Sequence, residues 1–113
     1  MSCTLDALYE IPYIIKALAD EHTDGKVLMF GGGGYNIWEV VPRAWSHVFL
    51  ALLGETKQQG HLPQKWLDKW QHYAPCKLST TWKDELEDYP YIPRTAEISA
   101  SNLKVANLVK SWF

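Results

Sequence analysis

Four glycines stand in a row at positions 31–34, between the apolar run "KVLMF" and the segment "YNIWEVVPRAW". No other feature limits the folding of this chain so strongly. Glycine loses more backbone freedom on ordering than any other residue, so a run of four opposes a helix or strand passing through it. The run therefore marks a turn. Four missing side chains in succession mark a place where main chain approaches something closely.

The flanking segments define what the turn joins. Residues 5–22 read as a helix: Leu8, Ile11, Ile15, Leu18 and His22 recur at spacings of three and four, which is one helical face. Ser2 or Thr4 is a suitable cap, and Pro12 removes one internal hydrogen bond, which predicts a kink or a late start. Asp24 and Gly25 signal a stop and turn. Residues 26–30 are short, apolar and without alternation, the pattern of a buried parallel strand. Beyond the glycines, Asn36 is placed to cap a second helix with Trp38, Val41, Trp45, Val48 and Leu52 on one face. Pro42 predicts a bend in it and Gly54 its end.

A third, shorter helix is predicted over 62–73, with Leu62, Trp66, Trp70 and Tyr73 on one side. Residues 74–94 carry Pro75, Pro90 and Pro93 and read as irregular, with a turn or two of helix within "TWKDELEDY". A last helix is predicted from Thr95 to the end, with Ile98, Val105, Val109 and Trp112 as its core face. Glu97 near its start and Lys104 and Lys110 later suit the helix dipole.

One strand between helices is an α/β pattern. Yet a lone parallel strand has no partner for its backbone donors and acceptors. Missed strands, pairing with another copy, or membership of a larger α/β protein would each resolve this, and the last is favoured here.

At 113 residues the chain has the size of one domain, and 47% apolar content with six tryptophans suits a packed core or a large interface. The net charge of −2 argues against nucleic acid or an anionic membrane as the main partner. The longest apolar run, residues 48–53, falls short of the roughly 20 residues of a membrane span. No secretory signal is expected, because the N-terminus lacks a basic start and an apolar run. Cys3 and Cys76 make no disulfide framework, so a reducing cytoplasm is the expected location.

Several readings of the turn compete. A Walker loop needs Lys then Ser or Thr at its end, and neither is present. A dinucleotide fingerprint needs a glycine where Asn36 stands. A tight strand-to-helix turn without chemistry is the plain alternative. The functional alternative is a backbone wall beside a narrow cavity. Tyr35 would then sit where its phenol hydroxyl donates a hydrogen bond to a developing oxyanion.

The stretch "GGGGYNIWEVVPRAW" resembles the C-terminal signature of the zinc-dependent histone-deacetylase family, and most closely its bacterial acetoin-utilisation branch. The similarity is strong over 26–53 and extends more weakly over 5–25 and over "YIPRTAEISASNLKVANLVKSW". The resemblance implies that residues 1–113 form a single segment: a helix-rich, C-terminal part of a three-layer α/β/α deacetylase (arginase/deacetylase-like) fold with a mainly parallel sheet. It implies hydrolysis of an acetamide on lysine or of a small acetamide substrate, with Tyr35 stabilising the tetrahedral intermediate. Gly32, Gly33 and Gly34 would line the acetyl-lysine tunnel, where side chains would block the substrate. Zinc belongs to the complete enzyme. The family's Asp-x-His pair, further Asp and His–His pair lie upstream of the turn, so no metal is expected on this chain and it is expected to be inactive alone.

The remaining candidates read as structural. Asp20–Glu21–His22 is a literal Asp-x-His, but residues two apart on a helix point to different sides. His47 is expected as a packing or surface residue, and His61, His72 and Cys76 lack a zinc spacing. Asp84, Glu85, Glu87 and Asp88 read as a solvated face, and Trp66 and Trp70 as core. The rival function is a non-enzymatic assembly module using an exposed strand and the tryptophans, with self-association through an uncovered sheet edge.

Overall fold

The computed structural model describes residues 4–85 and 89–112. It contains four helices: α1 (Leu5–His22), α2 (Val40–Leu53), α3 (Gln64–Trp70) and α4 (Thr95–Lys110). α1 begins where its cap requires, with the Thr4 hydroxyl accepting from the Ala7 N–H at 3.4 Å. It runs unbroken through Pro12, so the late start expected there does not occur. α2 ends at Gly54, whose φ of 75° is the left-handed geometry that glycine adopts without a Cβ penalty. Asn36 caps the turn ahead of α2 rather than α2 itself. Its side-chain oxygen accepts from the Glu39 N–H at 3.1 Å, and Glu39 is the helix N-cap.

α1 packs against α2, and theirs is the principal helix–helix contact among the described residues. The faces that meet are not the two apolar stripes read from the spacing. α1 buries Leu5, Tyr9, Pro12 and Ala19, and α2 buries Arg43, His47 and Ala51. Ile11, Ile15 and Leu18 on the expected face of α1 stay 42–50% exposed. A second cluster forms beside this pair. Leu62, Leu67 and Leu78 are buried, with Trp38, Trp66, Ala74 and Trp82 packed around them. α3 is shorter than expected, and Trp70 and Tyr73 lie outside this core.

The α/β expectation is overturned. Among the described residues there is no sheet; the one β pairing is an isolated antiparallel bridge between His61 and Thr81. Residues 26–30 are not a strand, and Leu28 and Phe30 are 77% and 82% exposed. The composition suits a strand, but no neighbouring segment offers the ladder of hydrogen bonds that would make one. An uncovered sheet edge therefore has no counterpart among the described residues.

The core face expected for α4 also finds no core. No residue of α4 is buried, and Ile98, Val105 and Val109 face outward with Trp112 beyond them. The radius of gyration, 16.9 Å, exceeds the value of about 13 Å for a compact chain of this length. The helical turn expected within 81–89 falls partly outside the described residues, and 81–85 are not helical.

Candidate functional site

The glycine run leads from residues 26–30 onto the turn that opens α2. Its four members are constrained differently. Gly33 and Gly34 have φ of 69° and 88°, which L side chains rarely adopt. At Gly31, an added Cβ would lie 2.9 Å from Cη2 of Trp45. At Gly34 it would lie 3.0 Å from Cγ2 of Val41. At Gly32 it would meet nothing within 4 Å.

Gly32 and Gly34 line an apolar cleft of about 520 Å³. Leu8, Ile11 and Ile15 of α1 form one side, and Val41, Trp45 and Val48 of α2 the other. Both apolar stripes read from the sequence thus face this cleft instead of each other. Tyr35 stands outside the lining and is 95% exposed. The chain brings Gly32 and Gly34 to one cleft but does not itself enclose the tyrosine.

Behind the loop, α2 is held by a polar brace. Arg43, 5% exposed at its side chain, donates from Nε to the Glu39 carbonyl at 2.7 Å and from one terminal nitrogen to the Thr81 carbonyl at 3.4 Å. It also pairs with Asp84 at 3.0 Å. The hollow beside it, about 550 Å³, is lined by Glu39, Thr81 and Asp84 among others. The guanidinium is spent on these partners, so the hollow is a brace between α2 and residues 81–84 rather than an anion site. Asp84 is accordingly not part of a solvated face; Glu85 is exposed, while Glu87 and Asp88 lie outside the described residues.

One turn further along α2, His47 is fully buried. Its ring stacks on Tyr9 at 3.6 Å between centroids and meets the edge of Trp82 at 5.2 Å. The Gln58 N–H donates to Nε2 at 3.2 Å. The proton therefore sits on Nδ1, which donates to the Arg43 carbonyl at 3.0 Å. Both nitrogens are occupied, and the ring is a packing element rather than a free base. Tyr9 donates its hydroxyl proton to the Trp82 carbonyl. Burial pushes the Tyr9 phenol up to about 12, against a smaller lowering by Arg43. Burial likewise raises Tyr13.

Sequence reasoning missed Tyr9, Arg43 and Trp82. The signal for the middle one was present: Arg43, His47 and Ala51 step by four along α2. Nothing in the local sequence announces their partners, which come from α1 and from residues 81–84.

The zinc implied by the resemblance does not fit the donors here. No three His, Cys, Asp or Glu side chains come together among the described residues. Asp20 pairs with Lys16 at 2.6 Å, and His22 points to solvent beside Glu21. His61, His72 and Cys76 are all exposed.

No family model matches the chain, and no solved structure does. Three curated proteins that match share one name, acetoin utilization protein AcuC. The protein from Staphylococcus xylosus is 66% identical over all 113 residues. That from Staphylococcus aureus strain N315 is 58% identical over the same span, and that from Bacillus subtilis is 40% identical over 108 residues. The chain spans 29% of the length of the first two and 27% of the third. Aligned over every one of its residues at 58–66% identity, the chain corresponds to a segment of acetoin utilization protein AcuC that makes up about three-tenths of those proteins' length.

Proposed function

We propose that this chain supplies the glycine–tyrosine wall of an AcuC-type amide deacetylase acting on acetyl-lysine or a small acetamide. The carrying observation is Gly32. Its φ demands no glycine and its Cβ position is vacant, yet it lines the cleft, three positions ahead of Tyr35 in the chain. A glycine that neither backbone nor packing requires is explained by something entering from outside. The relatives' name ties them to acetoin use, and the resemblance of residues 31–45 to the deacetylase signature supplies the reaction class.

In this reaction water adds to the amide carbonyl carbon, and the carbonyl oxygen becomes an oxyanion. Collapse of the tetrahedral adduct releases acetate and the amine, which takes up a proton. Tyr35 donates a hydrogen bond to the oxyanion, an effect worth several kcal/mol in a closed site. Gly32, Gly33 and Gly34 leave room for the acetyl group. With Tyr35 open to solvent, these 113 residues make an incomplete site and are inactive alone. We place the zinc of the complete enzyme on residues outside this chain.

In the complete polypeptide, Tyr35→Phe lowers turnover of an acetyl-lysine peptide by about 10²-fold or more, with little change in KM. A near-normal rate would remove the assignment.

A second reading, a non-enzymatic assembly module, draws on the outward apolar residues of α4 and on Leu28 and Phe30. Size-exclusion chromatography and a thermal melt of the chain separate the two. A cooperative, monomeric melt supports a self-sufficient module, and association or a molten state supports a segment of a larger domain.

A further inference from the structure

We infer that Trp45 is the positioning residue of the glycine loop, a clamp that fixes Tyr35 by carrying both ends of the run on one rigid ring. The inference rests on the deacetylase reading for its link to turnover, but its geometry stands apart from that reading. The Cβ position of Gly31 lies 2.9 Å from Cη2 and 3.3 Å from Cζ3, on the six-membered ring of the indole. The Cβ position of Gly34 lies 3.5 Å from Nε1, on the five-membered ring. The loop therefore crosses the length of the indole. Gly32 and Gly33 span it without touching a neighbour at their Cβ positions.

The ring is well placed for this task. Trp45 lies between Arg43 and His47, the two buried polar anchors of α2. The brace to Asp84 and the stack on Tyr9 hold the helix, and the helix holds the ring. Tyr35 follows Gly34 directly and makes no packing contact that would fix it otherwise, being 95% exposed. An indole is wide enough to reach both Gly31 and Gly34; a phenyl ring is narrower and reaches less of the span. Gly31 is thus small because a tryptophan lies under it, a different reason from admitting a substrate, while Gly34 rests on the same ring in ordinary contact and owes its glycine to a φ of 88° and to Val41 at 3.0 Å.

The test combines amide hydrogen exchange of residues 31–35 with steady-state kinetics of the complete AcuC-type protein on an acetyl-lysine peptide. Trp45→Ala speeds exchange across the loop and lowers kcat about tenfold or more while KM moves less, because a misplaced donor costs transition-state contacts first. Trp45→Phe restores part of both. Gly31→Ala, which pushes on the ring from above, reproduces the Trp45→Ala pattern without altering the tryptophan. Gly32→Ala leaves loop exchange unchanged and instead raises KM. Unchanged loop exchange in both Trp45→Ala and Gly31→Ala overturns the clamp, as does a Trp45→Phe variant no better than Trp45→Ala. Exchange is read without turnover, so a wild-type protein with no deacetylase activity sinks the functional reading alone and leaves the clamp to be decided by the loop amides.

Discussion

The pair α1–α2 and the helix α4 present the same kind of sequence and meet opposite fates. Each carries apolar residues at helical spacing. In α1–α2 the contact is made by Tyr9 stacked on His47, with Arg43 braced behind, while the apolar stripes look outward onto a shared cleft. In α4 the stripe lies against no other helix among the described residues, and no residue of it is buried. Apolar periodicity states that a face avoids water; it does not name the surface that covers it. Between α1 and α2 the specific, directional contacts make the join, and the two apolar stripes stay open on the cleft.

If that contrast is right, substitutions at the polar contact outweigh those on the stripes. The largest stability effect is expected for His47→Ala. It removes a fully buried ring, leaves the Gln58 N–H without its acceptor and strips Tyr9 of its stacking partner. A loss of about 3 kcal/mol is expected, read from hydrogen exchange of α2 amides or from denaturant unfolding. A loss below about 1 kcal/mol would mean that the apolar faces, not this contact, hold the pair.

A smaller effect, with a pH signature, belongs to Tyr9. The phenol is raised from 10.0 to about 12 in the fold, so folding favours its protonated form. Its contribution is complete below pH 10 and is lost as pH climbs through about 12. Tyr13, raised by burial, acts in the same direction, as does Lys83, raised first by its hydrogen bond to Asp6. Tyr9→Phe, which deprives the Trp82 carbonyl of its donor, is expected to cost about 1 kcal/mol at neutral pH and to flatten the alkaline part of the melting profile. An unaltered alkaline slope would assign that slope to the other two groups.

Smallest is the α4 control. Ile98→Ala in the 113-residue chain is expected to change stability by no more than about 0.5 kcal/mol, since the side chain is 46% exposed and packs on no core. The same substitution in the complete protein sharpens the comparison: a cost of 2 kcal/mol or more there would show that α4 is covered by the additional polypeptide.

Much of the local structure was legible. The bounds of α1, its Thr4 cap, the end of α2 at Gly54 and the start of α4 follow from caps, glycines and spacing. These signals act over a few residues, so the sequence contains them whole. The buried faces were not legible, because Tyr9 and His47 are neighbours only after α1 and α2 cross. Arg43 and Asp84 are likewise joined across 41 positions of chain. The strand expected at 26–30 failed for a related reason: "KVLMF" states a preference, but a strand exists only where a partner lies alongside. At the candidate site, the glycine run and Tyr35 stood out at once. The ring beneath them did not, since Trp45 reads as one more member of an apolar stripe.

The sequence by itself determined the bounds of α1, the end of α2 and the start of α4, that residues 31–34 turn rather than continue, and which helix faces are apolar, because capping, glycine freedom and periodicity are local properties of the chain. Only the tertiary structure decided that a histidine, a tyrosine and an arginine form the buried contact, that the apolar stripes flank an open cleft, and that one indole underlies the glycine loop. Those outcomes depend on which side chains meet when distant segments pack, and stacking, charge pairing and steric fit are settled only at that meeting.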